Sequence, residues 1–200
     1  GLGEHCGRYA NHVNHYVPLG YAIYGLDLPG HGKSDGEREV IERFTDYIDP
    51  LAKYYQMVKN WQPDKPVFIF GHSMGGLITC CFLLDHPADF KGAILSAPAI
   101  KVSDSISPVT VTMGKILSRI LPKARVVSLD PGAISRDPEV VEAYVNDPLV
   151  FHGKTPARLA AEMLKAMKRV KAKAEKITLP FIVVQGGKDK LVDPSGAQML

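Results

Sequence analysis

Residues 67–76 read Val67-Phe68-Ile69-Phe70-Gly71-His72-Ser73-Met74-Gly75-Gly76, and the fold turns on them. Val67 to Phe70 is a short, wholly apolar run behind Pro63 and Pro66, as a strand buried in a parallel sheet requires. From Gly75 to His86 apolar positions recur at helical spacing until Pro87 stops them. Between strand and helix stands Gly71-His72-Ser73-Met74-Gly75, a G-x-S-x-G that is weak alone and specific in this strand-turn-helix setting. The turn is sharp and strained, so a large residue two positions to either side of Ser73 would collide with adjacent backbone. It lifts Ser73 clear of the sheet edge. The Met74 N–H, at the start of the helix, then points where an oxyanion forms. Ser73 is the expected nucleophile and Met74 N–H an expected oxyanion donor.

Working outward, Tyr9, Val13, Tyr16 and Val17 recur at helical spacing, Pro18-Leu19-Gly20 ends that pattern, and Tyr21 to Leu26 reads as a buried strand. Phe44, Ile48, Leu51, Tyr55, Val58 and Trp61 form a second helical stripe. Asp49 and Pro50 offer an N-cap and a first-turn proline, so the regular helix is expected to start near Asp49. Ala93 to Leu95 is the next strand. Pro180 to Val184, closed by Gly186-Gly187, is another apolar run and is expected to be buried on both faces. Strands alternating with helices predict an α/β fold, a mostly parallel sheet with helices on both faces. Between Ala99 and about Thr178 the alternation stops: Met113, Ile116, Leu117, Ile120 and Leu121 form one helical stripe, and Leu159, Met163, Ala166, Val170 and Ala174 another. The chain therefore divides into 1–98, the first part of the core; 99–178, an inserted helical cap with a return helix; and 179–200, the second part of the core.

The 46% hydrophobic and 22% charged content excludes disorder and collagen-like architectures. Residues 1–100 carry 8 Lys+Arg against 11 Asp+Glu and residues 101–200 carry 16 against 10, so the second half is basic. No aromatic-interleaved basic stripe or zinc spacing accompanies that excess, and nucleic acid is not an expected partner. Cys6, Cys80 and Cys81, an odd count with two adjacent, make no disulfide framework and suit a reducing compartment, so the expected location is cytoplasmic. No run of about 18 apolar residues exists, and Gly1-Leu2-Gly3-Glu4-His5 carries no signal-peptide pattern. The histidines are scattered without metal-ligand spacing, so no metal and no cofactor is expected.

A nucleophilic serine needs a base and an acid that orients it, and in this fold the order is Ser, then Asp or Glu, then His. Asp189 lies in a tight loop just past the strand ending at Val184, where active sites of parallel sheets gather. Its rival, Asp193, precedes Pro194 and reads as a helix N-cap. None of the seven histidines follows Asp189; His152 precedes it and would need a non-standard order. The expected base therefore lies beyond Leu200, in a longer hydrolase of which this chain is an internal piece.

Gly1-Leu2-Gly3-Glu4-His5, Asp27-Leu28-Pro29-Gly30-His31-Gly32-Lys33-Ser34, Gly71 to Gly76 and Asn146-Asp147-Pro148-Leu149 together resemble the monoacylglycerol lipases and lysophospholipases of the serine aminopeptidase type, over residues 1–200. The resemblance implies an α/β-hydrolase fold with a helical cap. It implies a two-step hydrolysis of a small lipid ester, a monoacylglycerol or lysophospholipid, through an acyl-enzyme. It puts the first aspartate of Gly186-Gly187-Lys188-Asp189-Lys190-Leu191-Val192-Asp193 in the acid role and Leu2 at the variable position of an oxyanion loop, whose N–H is the partner of Met74 N–H. Glu4 and Arg8 then belong to the acyl-acceptor end, either touching substrate or holding the loop by an ion pair. Tyr144 is implied to border a glycerol pocket, with His72 in a similar place. General carboxylesterases and serine aminopeptidases share most of these motifs, and a non-catalytic binding protein of the same fold is the alternative from another class.

Lys115, Arg119 and Lys123 fall at i, i+4, i+8 beside the Met113–Leu121 stripe, which predicts a basic amphipathic helix. Either Ile116 and Ile120 face a bound acyl chain, with a basic rim that favours anionic headgroups and peripheral membrane contact, or the stripe packs the cap onto the core. Asp27, Gly30, His31 and Gly32 read as a structural turn.

Overall fold

The apolar runs near residues 68, 93 and 181 become one parallel sheet. The chain's computed structural model describes residues 1–86, 90–102 and 108–200, with side chains from 112 in the last segment; Pro87 lies outside them. In chain order the elements are α1 (Ala10–Tyr16), α2 (Thr45–Trp61), β1 (Phe68–His72), α3 (Met74–Asp85), β2 (Gly92–Ser96), α4 (Pro108–Ile120), β3 (Arg125–Val127), α5 (Pro138–Val145), β4 (Thr155–Pro156), α6 (Ala157–Lys173) and β5 (Phe181–Val184), with short 3-10 turns between them. The sheet has the order β1-β2-β5, with His72 beside Ser96 and Ser96 beside Val184, so all three strands end at one edge. Between residues 99 and 178, β3 and β4 form a small antiparallel pair that the helical patterns of this region conceal.

α3 is buried along nearly its whole length, from Met74 to Leu83, because it lies on β1 and β2 and is flanked by α2 and α6. An apolar helix enclosed in this way needs no polar face. Leu77, Ile78 and Phe82 meet Ile69, Ala93 and Leu95 in the core, and Tyr55, Phe82 and Phe90 stack edge to face or tilted beside them. Leu159, Ala166 and Val170 of α6 join that core, while Lys171 and Lys173 end the helix where its dipole favours cations.

The opposite face is barer. Tyr9 and His12 rest on Phe70, but Phe68 is 55% exposed and Ile182 and Val184 are each 57% exposed. β5, expected to be buried on both faces, is thus covered on one. Tyr21 to Leu26, expected as a buried strand, forms none: it pairs with no strand among the described residues, and Tyr21, Ile23 and Tyr24 are exposed. Apolar content makes a strand possible, but a ladder needs a neighbour, and here the run lies beside the end of α2 instead, with Tyr54 Oη donating to Gly25 O and Tyr24 packed on Trp61.

α2 starts at Thr45, earlier than the expected Asp49, and keeps Pro50 inside. Its start is fixed by Asp46, whose carboxylate accepts from Glu42 N–H and Arg43 N–H, and by Glu162, which accepts from Phe44 N–H. Side-chain acceptors that hold the amides of residues 42–44 turn the chain into the helix there, which outweighs the proline signal.

Candidate active site

The elbow has the strain the motif predicts. Ser73 sits at φ +53°, ψ −120°, outside the regions open to L-residues, between β1 and the first turn of α3. A Cβ at Gly71 would meet the Thr79 side chain and lie 2.5 Å from Gly75 O, and one at Gly76 would lie 2.7 Å from Pro98 Cβ. At Gly75 a Cβ would enter open space. The close approaches are therefore at 71 and 76, and Gly75 is not required by crowding, contrary to the symmetric expectation. Met74 is fully buried as the first residue of α3, where a backbone N–H has no intrahelical acceptor.

Asp189 follows β5 at the same sheet edge, two strands from Ser73, a spacing of about 10 Å between strand axes. Its carboxylate is held from three sides: Oδ1 accepts from Leu191 N–H at 2.9 Å and Val192 N–H at 3.0 Å, and Oδ2 from Gln185 Nε2 at 3.1 Å. Asp193 is spent elsewhere. It caps the 3-10 turn Pro194–Met199 through Ser195 N–H and pairs with Lys101 at 2.7 Å, and these bonds, the Lys101 ammonium first, hold its carboxyl down at about 2.

The loop at Gly1–His5 is clamped by residues 147–151. Phe151 N–H donates to Gly3 O at 2.8 Å, and a Cβ at Gly3 would lie 2.8 Å from Phe151 O, so two backbones touch where φ is +70°. His5 Nε2 lies 2.8 Å from Asp147 Oδ2, which is the main cause holding Asp147 below the usual carboxylate range. Leu2 packs against the core, half-buried. Asp27 takes the other side, accepting from Cys6 N–H and Lys33 N–H. The turn it closes holds Gly30 and Gly32 at positive φ and buries His31, whose imidazole burial pushes down to about 4. That agrees with a structural turn.

Glu4 and Arg8 are paired at 3.0 Å, and the Arg8 guanidinium lies over the Tyr144 ring, 4.9 Å from its centre. Tyr144 is buried and meets His152 edge on. His72 Nδ1 lies 3.1 Å from both Ser96 O and Ser96 Oγ; a carbonyl only accepts, so Nδ1 carries the proton. Burial above all lowers the His72 pKa, and the Gly1 ammonium adds to that, while Glu4 and Asp189 act in the opposite direction.

The comparisons with known proteins agree with this geometry. The family model described as "Serine aminopeptidase, S33" matches residues 1–200. The chain belongs to this α/β-hydrolase family. It is 36% identical over 200 residues to the monoacylglycerol lipase of Mycolicibacterium smegmatis, covering all of this chain and 71% of that protein. To the monoglyceride lipase of Rattus norvegicus it is 35% identical over 201 residues, covering all of this chain and 66% of that one. The crystal structure of Paleococcus ferrophilus monoacylglycerol lipase superposes with a TM-score of 0.89 at 31% identity, over 100% of this chain and 75% of that one. The chain thus spans about two thirds to three quarters of these relatives.

In this α/β-hydrolase chain most of the α4 stripe faces outward. Ile116 is 48% and Ile120 70% exposed, with Met113 and Leu121 exposed beside them, while the buried Ser118 and half-buried Leu117 lie on the other side of a helix that packs on α6. Of the stripe, only Leu117 therefore turns inward. Lys115 and Arg119 are exposed, and Lys123 pairs with Glu37.

Three contacts escaped the sequence reading. Asp147 as the partner of His5 was signalled only by its place in the Asn-Asp-Pro-Leu motif. Glu39, in the run Glu37-Arg38-Glu39, reads as a solvated charge, yet it is 2% exposed with φ +60°. Burial pushes its carboxyl up to about 7, against the downward pull of the Thr155 hydroxyl and Arg125. Arg125, in turn, donates to Arg38 O and Lys154 O, tying β3 to the loop before α2. Among the described residues no three His, Cys, Asp or Glu side chains are grouped to hold a metal, and no helix is long and apolar enough to cross a membrane.

Proposed function

We propose that this chain carries the nucleophile, acid and oxyanion loop of a serine esterase that cleaves small lipid esters, monoacylglycerols first. The observation that carries the reading is Ser73 held at φ +53° on the elbow between β1 and α3, at the sheet edge where Asp189 is fixed by three hydrogen bonds. Ser73 Oγ attacks the ester carbonyl, the N–H groups of Leu2 and Met74 receive the oxyanion, the alcohol leaves, and water releases the fatty acid from the acyl-enzyme. Asp189 orients a histidine supplied from beyond Leu200; His152, packed on Tyr144, is occupied within the cap. Glu4, Arg8, Tyr144 and His72 bound the alcohol side: paired Glu4 and Arg8 suit a polyol better than a charged amine.

The exposed stripe of α4, with Ile116 and Ile120, serves the acyl chain and a lipid surface, and the neighbouring lysines and arginine favour anionic headgroups. The names of the relatives favour a monoacylglycerol over a peptide, although the family description names an aminopeptidase.

The test uses the complete gene product. A fluorophosphonate probe is expected to label it at Ser73, Ser73→Ala to abolish labelling, and monoacylglycerol to be hydrolysed in preference to amino-acid arylamides. Undiminished labelling of the alanine variant removes Ser73 as nucleophile. Preference for the arylamide replaces the esterase reading with the peptidase one.

A further inference from the structure

A nucleophile in a disallowed conformation stays there only if its surroundings over-determine it. Both main-chain polar groups of Ser73 are bonded into one short turn: Ser73 N–H donates to Ser96 O at 2.9 Å, and Ala99 N–H donates to Ser73 O at 3.0 Å. To present a carbonyl at 96 and an amide at 99 to the same residue, the chain must reverse within two positions. It does so at Ala97, which stands at φ +41° without being glycine. Ser73 and Ala97 are the positions immediately after the register pair His72 and Ser96, so two strained residues lie side by side at the strand ends.

The turn is itself fixed on three sides. Ala97 N–H donates to Val184 O at 2.8 Å, tying it to β5, the strand that leads to Asp189. Pro98 stands where Gly76 leaves room for no Cβ, so it presses on the first turn of α3. The His72 imidazole donates to Ser96 O, the same carbonyl that receives Ser73 N–H.

We propose that the turn Ser96–Ala99 is a brace that holds Ser73 in its reactive conformation, and that Ala97 is its positioning residue. The Ala97 methyl confines the turn to one conformation; glycine at 97 adopts positive φ freely and opens others. The backbone of Ser73 then samples a wider range, and its hydroxyl spends less time in line with the ester carbonyl. Ala97 acts only through Ser73, so substrate binding is untouched. Glycine also relieves strain at 97, so its net cost is the conformations it opens less that relief, too small to unfold the protein. Lower turnover in a protein that stays folded is what a merely structural residue does not produce. The inference rests on the reading of Ser73 as nucleophile.

Ala97→Gly and Ala97→Ser in the complete gene product test it. The glycine variant is expected to lose about tenfold in kcat on a monoacylglycerol, with KM unchanged and the protein fully folded under the assay conditions by circular dichroism. The serine variant keeps the Cβ and is expected to keep kcat. Amide hydrogen exchange reads the brace without turnover: protection at Ser73 and Ala99 is expected to fall about tenfold in Ala97→Gly, about 1.4 kcal/mol of local opening. Unchanged protection overturns the brace, as does a kcat that holds in the glycine variant or falls only in proportion to its folded fraction. Lost protection in a protein whose Ser73 does not label overturns the hydrolase reading alone and leaves the brace standing.

Discussion

Replacing Glu39 by glutamine should make the protein more stable at pH 8 and leave it unchanged at pH 4. The carboxyl is 2% exposed, its Oε2 has no hydrogen-bond partner among the described residues, and Arg125 Nη1 stands 4.0 Å away. Burial lifts its pKa from the ordinary 4.5 to about 7. Below 4.5 the folded and unfolded chains both carry the proton. Between 4.5 and 7 only the folded chain does, so unfolding releases a proton and stability falls as pH rises. Above 7 both are ionised and the loss is complete. At about 1.4 kcal/mol per pH unit, that window is worth about 3 kcal/mol. Glutamine keeps the shape and an acceptor for Thr155 but never ionises. The difference in urea unfolding free energy between Glu39→Gln and the parent should therefore grow from near zero at pH 4 to about 3 kcal/mol at pH 8. A constant difference across that range would show that Glu39 ionises normally and is solvated in the folded state.

Gly71→Ala should lower stability by about 1–3 kcal/mol, because its Cβ enters the Thr79 and Gly75 contacts, whereas Gly75→Ala should stay within about 1 kcal/mol of the parent; urea unfolding of both checks the asymmetry. Asp147→Ala removes the acceptor of His5 and should cost about 1 kcal/mol in stability but lower kcat severalfold, since it frees the loop that presents Leu2; a kcat equal to the parent's counts against that loop as an oxyanion donor. Ile116→Ser with Ile120→Ser should leave the unfolding midpoint unchanged and reduce the preference for long-chain monoacylglycerols over acetyl esters about tenfold, measured as a ratio of kcat/KM. Equal loss on both substrates would return the stripe to a packing role.

What the sequence made legible was local. Strand, elbow and helix at 68–85 are contiguous, each signalled by neighbours within a few residues, and they fold as read. The position of Asp189 past the strand end was legible for the same reason: the apolar strand, the glycine pair and the loop follow one another, and the loop's own amides hold the carboxylate. Asp193 and Asp137 cap the turns that follow them, as short-range rules predict. What was not legible depends on partners far along the chain. Glu39 is buried only because β4 brings Thr155 and β3 brings Arg125 against it, and neither strand is longer than three residues. Tyr21 to Leu26 shows the converse, since its composition suits a strand and only an absent ladder partner among the described residues decides otherwise. The outward stripe of α4 was open at the sequence level because periodicity gives a face and not the direction in which it points.

The bonds that hold the first loop also set an order of assembly. Those that fix Ser73 join it to residues 77, 96 and 99, so the elbow closes once about a hundred residues are available, with β5 needed only to anchor the far side of the turn. The loop carrying Leu2 is fixed by residues 147 and 151, roughly 145 positions away. Contacts of that span pay the largest loop-closure entropy and form late. During synthesis from the N-terminus, the elbow has its bonding partners well before the loop at 1–5 has its own. The nascent chain therefore passes through a stage with the elbow at 73 set and the loop at 1–5 still slack, until residues 147–151 emerge to fix it.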